Sequence, residues 1–448
     1  MTTESSPGRR PTIGIRREDK HQWERRVPLT PEVVGQLAAD GVDVVVQPSS
    51  IRVFEDEAFR RAGATVDEDL SGCDVVFAVK EIPTSLFTEG GAYVFFSHTI
   101  KGQAHNMPML RRLMELRATL IDYERIVDEN NRRLVFFGRH AGLAGMVDTL
   151  WATAQRLTAQ GIATPFDAVK LTHEYEDLDQ IRSALGEVAQ AIRREGLPPS
   201  LAPFVVGVTG YGNVSRGTME ILELLPTEAV SPEDLPALLA RPDAPRDRIF
   251  TVMFREQHMA ERIDGGAFEL QRYYDHPEEF RGTMQAHLPY LSVLVNGIYW
   301  TPAYPRVASK DMLRRLAQGA SGDRLIAIGD IGCDIDGAVE CTVKPTSPGH
   351  PIYVYDPLAD TVTDGAQGPG LAMMTTDCLP CELAKDASEH FTGALAPYAR
   401  AIAGADYSAP SIDESIPAPV RQAVILWRGE LTPPYEYLRE SIERASGE

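Results

Sequence analysis

Positive charge is what this chain has least of: 44 lysines and arginines stand against 64 acidic residues, for a formal charge of −20. So acidic a protein repels polyphosphate and anionic lipid headgroups, which argues against nucleic acid or a membrane surface as partner. Long apolar runs are also missing. None approaches the roughly 20 residues that span a bilayer, and Met1 to Arg10 lacks the apolar stretch of a secretory signal. That segment reads as the frayed tail of a cytoplasmic protein. Cysteine is scarce: the five, at 73, 333, 341, 378 and 381, are scattered and odd in number, which excludes a disulfide framework and fits a reducing compartment. There is no solenoid-period repeat and no low-complexity tract.

What is present is an ordinary globular composition, 43% hydrophobic and 24% charged, in a chain of 448 residues, more than one core usually organises. Strand-like runs at Pro11–Arg16, Val42–Gln47, Val75–Lys80, Ala92–Ser97, Thr119–Tyr123 and Leu134–Phe137 alternate with helical stretches such as Met109–Leu116. Thr30-Pro31 opens a helix as N-cap and first residue. A long helix from Ala141 to about Ala159 carries small residues that permit close approach to another element. A second series follows, with strands at Phe204–Thr209, Ile249–Met253, Val293–Asn296, Leu325–Gly329 and Ile352–Tyr355. Cys378 to Glu448 reads as mostly helical. The alternation predicts an α/β protein with two Rossmann-like, doubly wound domains and an interdomain cleft. Residues 1–140 with 375–448 form the expected substrate-binding and catalytic domain, and 141–374 the dinucleotide-binding one.

The strongest local motif is Phe204-Val-Val-Gly-Val-Thr209-Gly210-Tyr211-Gly212-Asn213-Val214-Ser215. An apolar strand runs into a Gly-x-Gly turn and then a helix, which aims first-turn N–H groups and the helix dipole at a pyrophosphate. Ser215 stands where a third glycine is usual. Gly210, Tyr211, Gly212, Asn213 and Val214 are therefore the expected cofactor contacts. The end of the next strand, sought at Pro226–Glu233, offers no clear acid for a ribose 2′-OH, because Ser231-Pro232 reads as a helix start. That favours NADP(H) over NAD(H), with no arginine cluster near it and Ser231 as a further contact. Asn296-Gly297 and Asp330 with Asp334 end later strands at the ligand-binding edge, where they border the nicotinamide ribose or serve simply as turn and loop caps. Cys378-Leu-Pro-Cys381 has the spacing of a redox pair or half a zinc site, but no second pair lies near it, so no metal is expected.

In the first domain Lys80 and His98 both follow strands, at the edge where open α/β sheets collect ligands, and both are residue types suited to proton transfer. Taken singly, a strand-end lysine is ordinarily a solvated charge and a lone histidine a hydrogen-bonded packing residue.

Arg16-Arg17-Glu18-Asp19, Trp23-Glu24-Arg25-Arg26-Val27-Pro28-Leu29-Thr30-Pro31, Val79-Lys80, Phe95-Phe-Ser-His-Thr-Ile-Lys101, Leu120-Ile-Asp-Tyr-Glu124, the glycine turn, Asn296-Gly-Ile-Tyr-Trp300 and Asp330-Ile-Gly-Cys-Asp334 occur in an order that resembles the lysine-ketoglutarate reductase family. This is the saccharopine-forming half of the animal and plant lysine-degrading enzymes, within the alanine dehydrogenase and saccharopine dehydrogenase superfamily. The resemblance implies reductive condensation of L-lysine with 2-oxoglutarate to saccharopine, or its reversal. Lys80 and His98 would be the acid–base pair, Glu81 and Glu124 the acids that tune it, and Arg26, Lys101 and Arg133 the cations of the substrate cleft. Glu81 departs from the basic residue of the animal reductases. Three carboxylates on saccharopine require such cations. An opine-type dehydrogenase for another amine and keto acid, or a non-catalytic nucleotide-binding regulator, are the alternatives. The second catalytic half of the bifunctional enzymes has no counterpart here, so a separate saccharopine-oxidising enzyme is an expected partner, as is a second copy of the chain in a homodimer.

Overall fold

A computed structural model describes residues 9–319 and 324–445, so most of the polar segment Met1 to Arg10 lies outside the described residues. The chain divides into two compact units, Met1–Phe137 with Ala384–Glu448, and Gly138–Leu383.

The first unit opens with six strands, β1 (Thr12–Ile15), β2 (Asp43–Val46), β3 (Thr65–Val66), β4 (Val75–Phe77), β5 (Ala92–Phe95) and β6 (Thr119–Asp122). They are parallel and lie in the order β3-β2-β1-β4-β5-β6. That is the doubly wound order, in which the winding direction reverses between β1 and β4 and leaves a crevice at their carboxyl ends. Burial on both faces explains why these strands are written as continuous apolar runs: Ile13, Ile15, Val75, Phe77, Val94 and Phe95 are fully buried.

The second unit carries β7 (Val205–Thr209), β8 (Thr227–Ala229), β9 (Ile249–Phe254), a small ribbon of β10 (Ala260–Arg262) with β11 (Phe280–Gly282), then β12 (Val293–Asn296), β13 (Ala327–Asp330), β14 (Ile352–Asp356), β15 (Thr361–Asp364) and β16 (Leu371–Met374). The main sheet runs β15-β14-β16-β13-β12-β7-β9-β8, parallel from β16 to β8 and antiparallel at β14 and β15. Alternate side chains of the strands enter opposite cores: Val206 and Val208 one, Val205 and Leu294 the other. The Gly138–Ala159 helix crosses the Asn213–Leu222 helix at two glycines. A Cβ on Gly142 would lie 1.9 Å from the Val214 carbonyl oxygen, and one on Gly217 would lie 2.1 Å from that of Arg139.

One strand expectation fails. Leu134–Phe137 is not a strand, because the edge of β6 beside which it would lie is taken by β17 (Val424–Trp427), followed by β18 (Glu430–Leu431), both antiparallel. The apolar run instead packs as irregular chain, with the Phe137 ring stacked 4.6 Å from that of Phe391. The C-terminal stretch is mostly helical, as expected, but these two short strands lie between its helices at Ala384–Ala403 and Leu438–Arg444. Thr30 precedes the Pro31–Ala39 helix but makes no side-chain cap. Its N–H donates to Thr392 Oγ1 (3.1 Å) and Val27 N–H to Ser388 Oγ (3.0 Å), which ties the start of the chain to the C-terminal helix of the same unit.

Candidate active site

The carboxyl edge of the first sheet gathers charge from four strands: Arg16 and Glu18 follow β1, Lys80 and Glu81 follow β4, His98 follows β5, and Glu124 follows β6. His98 has φ +51°, a region few non-glycine residues occupy, so its side chain leaves the chain at an unusual backbone turn. Asn106 Nδ2 donates to its carbonyl (2.9 Å) and its Nδ1 meets Glu81 Oε1 at 2.6 Å. Burial alone would raise the Glu81 pKa, but the hydrogen bond and charge of His98, with Lys20 Nζ 3.1 Å away, bring it down to about 2. Glu81 is thus an anion that orients the imidazole.

His98, Glu81, Lys101 and Glu124 line one cavity of about 260 Å³ together with Lys20, Ile100, Gln103 and His105. Arg133 Nη2 reaches Glu124 Oε1 (2.9 Å). Lys80 stands on the same sheet edge but outside that lining, its charge acting on Glu24. Arg26 is placed differently from a cleft-lining cation. It is buried, its Nε and Nη2 grip the two oxygens of buried Glu24 at 2.7 and 2.5 Å, and its guanidinium lies 4.3 Å from the Phe137 ring centre. Burial pushes the Glu24 carboxyl up, and the charge and fork of Arg26 more than offset it, holding it below the ordinary range.

Two buried acids beneath this edge were not singled out from sequence. Glu18 accepts the N–H groups of Val79 (2.6 Å) and Lys80 (3.0 Å), so one carboxyl fixes the backbone that carries the lysine. Burial and the nearby Glu24 raise its pKa to about 7. Asp122 accepts the N–H of Ser97 (3.2 Å), the Ser97 hydroxyl and the N–H of Glu124 (2.8 Å), locking the turns after β5 and β6 together. Burial raises it to about 6. The available signal was an acid ending an otherwise apolar strand, for Asp122, or within three residues of its end, for Glu18, where an unpaired charge is costly.

In the second unit the glycine turn has the shape a dinucleotide needs. Gly210 has φ +79°, and a Cβ there would lie 2.8 Å from Ile298 Cγ2, whereas a Cβ on Gly212 would point into open space. Gly212 is the N-cap of the Asn213–Leu222 helix and supplies no side-chain acceptor, so the first-turn N–H groups of Asn213 and Val214 are presented to that space. Ser215 replaces the third glycine by function rather than shape: it is buried and its hydroxyl donates to the Thr209 carbonyl (2.9 Å), closing the turn. Asn296 and Asp330 form a hydrogen-bonded row across the strand ends. Thr209 Oγ1 donates to Asn296 Oδ1 (2.8 Å), Asn296 Nδ2 to Asp330 Oδ1 (2.8 Å) and Thr342 Oγ1 to Asp330 Oδ2 (2.5 Å). Burial raises Asp330 to about 6. The Gly297 N–H donates to Thr209 Oγ1 (3.2 Å), and Asp334 is exposed in the loop after β13. These residues form the floor of the carboxyl edge. Ser231 caps the turn after β8, with its hydroxyl donating to Asp234 Oδ2 (2.9 Å).

The strand end beside the glycine turn is not the one the sequence order suggested. β8 is the edge strand, and β9 is the neighbour of β7. The strand end beside the glycine turn is therefore Phe254-Arg255-Glu256, not Pro226–Glu233, and it does carry an arginine.

Residues 14–144 match the family model described as alanine dehydrogenase/PNT, N-terminal domain. The chain is 36% identical over 443 residues to the alpha-aminoadipic semialdehyde synthase of Arabidopsis thaliana, covering 95% of this chain and 41% of that protein. It is 34% identical over 451 residues to the mitochondrial enzyme of that name from Rattus norvegicus, covering 97% and 48%. It thus spans less than half the length of these relatives. The saccharopine dehydrogenase (NAD(+), L-lysine-forming) of Neurospora crassa is 28% identical over 397 residues, covering 86% of this chain and 90% of its own. Among solved structures an L-alanine dehydrogenase shares the fold, with a TM-score of 0.56 at 18% identity over 96% of this chain and 99% of that one. Over nearly its whole length the chain is therefore similar to one part of the alpha-aminoadipic semialdehyde synthases and, more distantly, to the lysine-forming saccharopine dehydrogenase, and it shares its fold with L-alanine dehydrogenase.

Proposed function

We propose that the chain catalyses the nicotinamide-dependent reductive condensation of L-lysine with 2-oxoglutarate to saccharopine, or the reverse oxidation. The observation that carries this reading is the His98–Glu81 pair, 2.6 Å apart, on a cavity that also presents Lys20 and Lys101. An acid–base group beside ammonium groups suits a reaction whose substrates bring carboxylates and whose chemistry moves protons between nitrogen and oxygen.

In the forward direction the ε-amine adds to the ketone carbon, the new hydroxyl leaves as water, and the resulting imine takes up hydride at carbon and a proton at nitrogen. A reduced nicotinamide, when bound, would supply that hydride. Lys80 and His98 carry the proton transfers of the condensation, with Glu81 orienting the imidazole and Glu124 adding negative charge beside it. Lys101 and Arg133 hold substrate carboxylates, and Arg26 adds to them with a charge it shares with Glu24. We assign NADP(H) as cofactor, held at Gly210 to Val214, with NAD(H) as the alternative. A cytoplasmic location, a homodimer and a separate saccharopine-oxidising enzyme belong to the same proposal.

The test is a steady-state assay across a matrix of amines, keto acids and both cofactors. Reduced cofactor should be consumed only when lysine and 2-oxoglutarate are both present. Turnover with a different amine moves the assignment to an opine-type enzyme, and nucleotide binding with no turnover in any combination sinks the catalytic reading.

A further inference from the structure

The winding of the second sheet places an arginine where a Rossmann unit distinguishes its two cofactors. Gly210 N–H donates to the Phe254 carbonyl at 2.9 Å, so the glycine turn is stitched to the last residue of β9 and Arg255 emerges directly beside it. The Arg255 guanidinium lies 5.3 Å from the ring centre of Tyr211, inside the Gly-Tyr-Gly turn, which places the cation over a partly exposed aromatic face. Arg255 is exposed, and among the described residues it makes no ion pair. The neighbouring acids are already engaged. Glu256 Oε1 accepts the hydroxyls of Tyr274 (2.9 Å) and Tyr211 (3.4 Å), and Glu228 pairs with Arg248 (2.8 Å). A cation with its donors facing solvent, next to a phosphate-binding turn in a protein of charge −20, has one evident use: a further anion on the same ligand.

We propose that Arg255 reads the 2′-phosphate of NADP(H), with Tyr211 as the platform that orients its guanidinium and Glu256 as the acid that holds Tyr211. This rests on the nucleotide-binding reading above and adds to it the residue that selects the phosphorylated cofactor. The competing assignment is Glu256 bonding an unphosphorylated ribose 2′-OH, which would select NAD(H). The two predict opposite preferences.

Calorimetric titration of the full chain with 2′,5′-ADP and with 5′-AMP separates them without any catalytic readout. The protein should bind 2′,5′-ADP more tightly. Arg255→Met should weaken that ligand on the order of 10- to 100-fold, the strength of charge-assisted hydrogen bonds, and leave 5′-AMP unchanged. The unchanged 5′-AMP affinity also shows that the variant is folded. Equal affinity for the two fragments, tighter binding of 5′-AMP, or a preference that survives Arg255→Met overturns the assignment of Arg255 while leaving the nucleotide site intact. Failure of both fragments and both cofactors to bind overturns the nucleotide reading itself.

Discussion

Replacing Glu18 by glutamine should change how stability depends on pH. The carboxyl is 5% exposed and accepts two backbone N–H groups, those of Val79 and Lys80. Burial, and next the charge of Glu24, raise its pKa from the ordinary 4.5 to about 7, against the two N–H donors and Arg16, which lower it. Between those values the folded protein holds a proton that the unfolded chain has released. Stability therefore falls as pH rises through that window and levels off above about 7. At about 1.4 kcal/mol for each tenfold change in proton affinity, the difference amounts to about 3 kcal/mol. Glutamine cannot titrate, so the variant loses this slope. Its amide nitrogen also cannot accept the N–H that a carboxyl oxygen accepts, which costs about 1–3 kcal/mol at every pH. Guanidinium unfolding of both proteins near pH 5 and near pH 8 measures the outcome. The variant should be clearly weaker in acid, and the gap should shrink by about 3 kcal/mol in alkali, to the point of closing or reversing. A gap that stays constant within about 0.5 kcal/mol would refute the idea that Glu18 is an acid held against its preferred charge state.

Lys80→Met and His98→Gln should each lower turnover with lysine and 2-oxoglutarate by about 10²- to 10⁴-fold while nucleotide affinity is preserved; turnover within twofold of wild type removes that residue from the proton transfers. Gly217→Ala puts a Cβ 2.1 Å from the Arg139 carbonyl oxygen and 2.9 Å from Leu143 N, both main chain and neither able to rotate away. The two helices must part, at a cost of about 1–3 kcal/mol or more, and a thermal melt should show the loss. Gly186→Ala, in the Leu178–Glu195 helix with nothing within 4 Å of the added atom, should instead stabilise by about 1 kcal/mol. Arg133→Met removes a half-exposed partner of Glu124, so it should alter stability by less than about 1 kcal/mol yet raise the KM for the keto acid; an unchanged KM places Arg133 outside the substrate site.

The parts legible in the sequence are those that depend on neighbours along the chain. Continuous β-branched and apolar runs at 12–15, 205–209 and 293–296 marked strands because parallel strands covered on both faces leave no polar side to alternate with. Gly210 and Gly212 announced their turn because few other residues tolerate it. His98 and Glu81 were visible as strand-end residues, but the contact between them was not, since it joins the ends of two strands and depends on β4 and β5 being adjacent. The misread strand has the same origin: Leu134–Phe137 has the composition of a strand and no free sheet edge to join. Nor does any local pattern show that Arg26, expected as a cleft cation, is buried against Glu24 and Phe137.

By itself the linear chain determined the α/β class, the glycine turn and the set of ionisable residues at strand ends, because periodicity and backbone sterics act within a few residues. Only the tertiary structure decided which strand lies beside β7, and so that Arg255 rather than Glu228 or Ser231 stands next to the glycine turn. It alone decided which cations are already neutralised and which acids are buried enough to keep a proton. Strand order and ion pairing are set by hydrogen bonds and desolvation between segments far apart in sequence, and no local pattern encodes them.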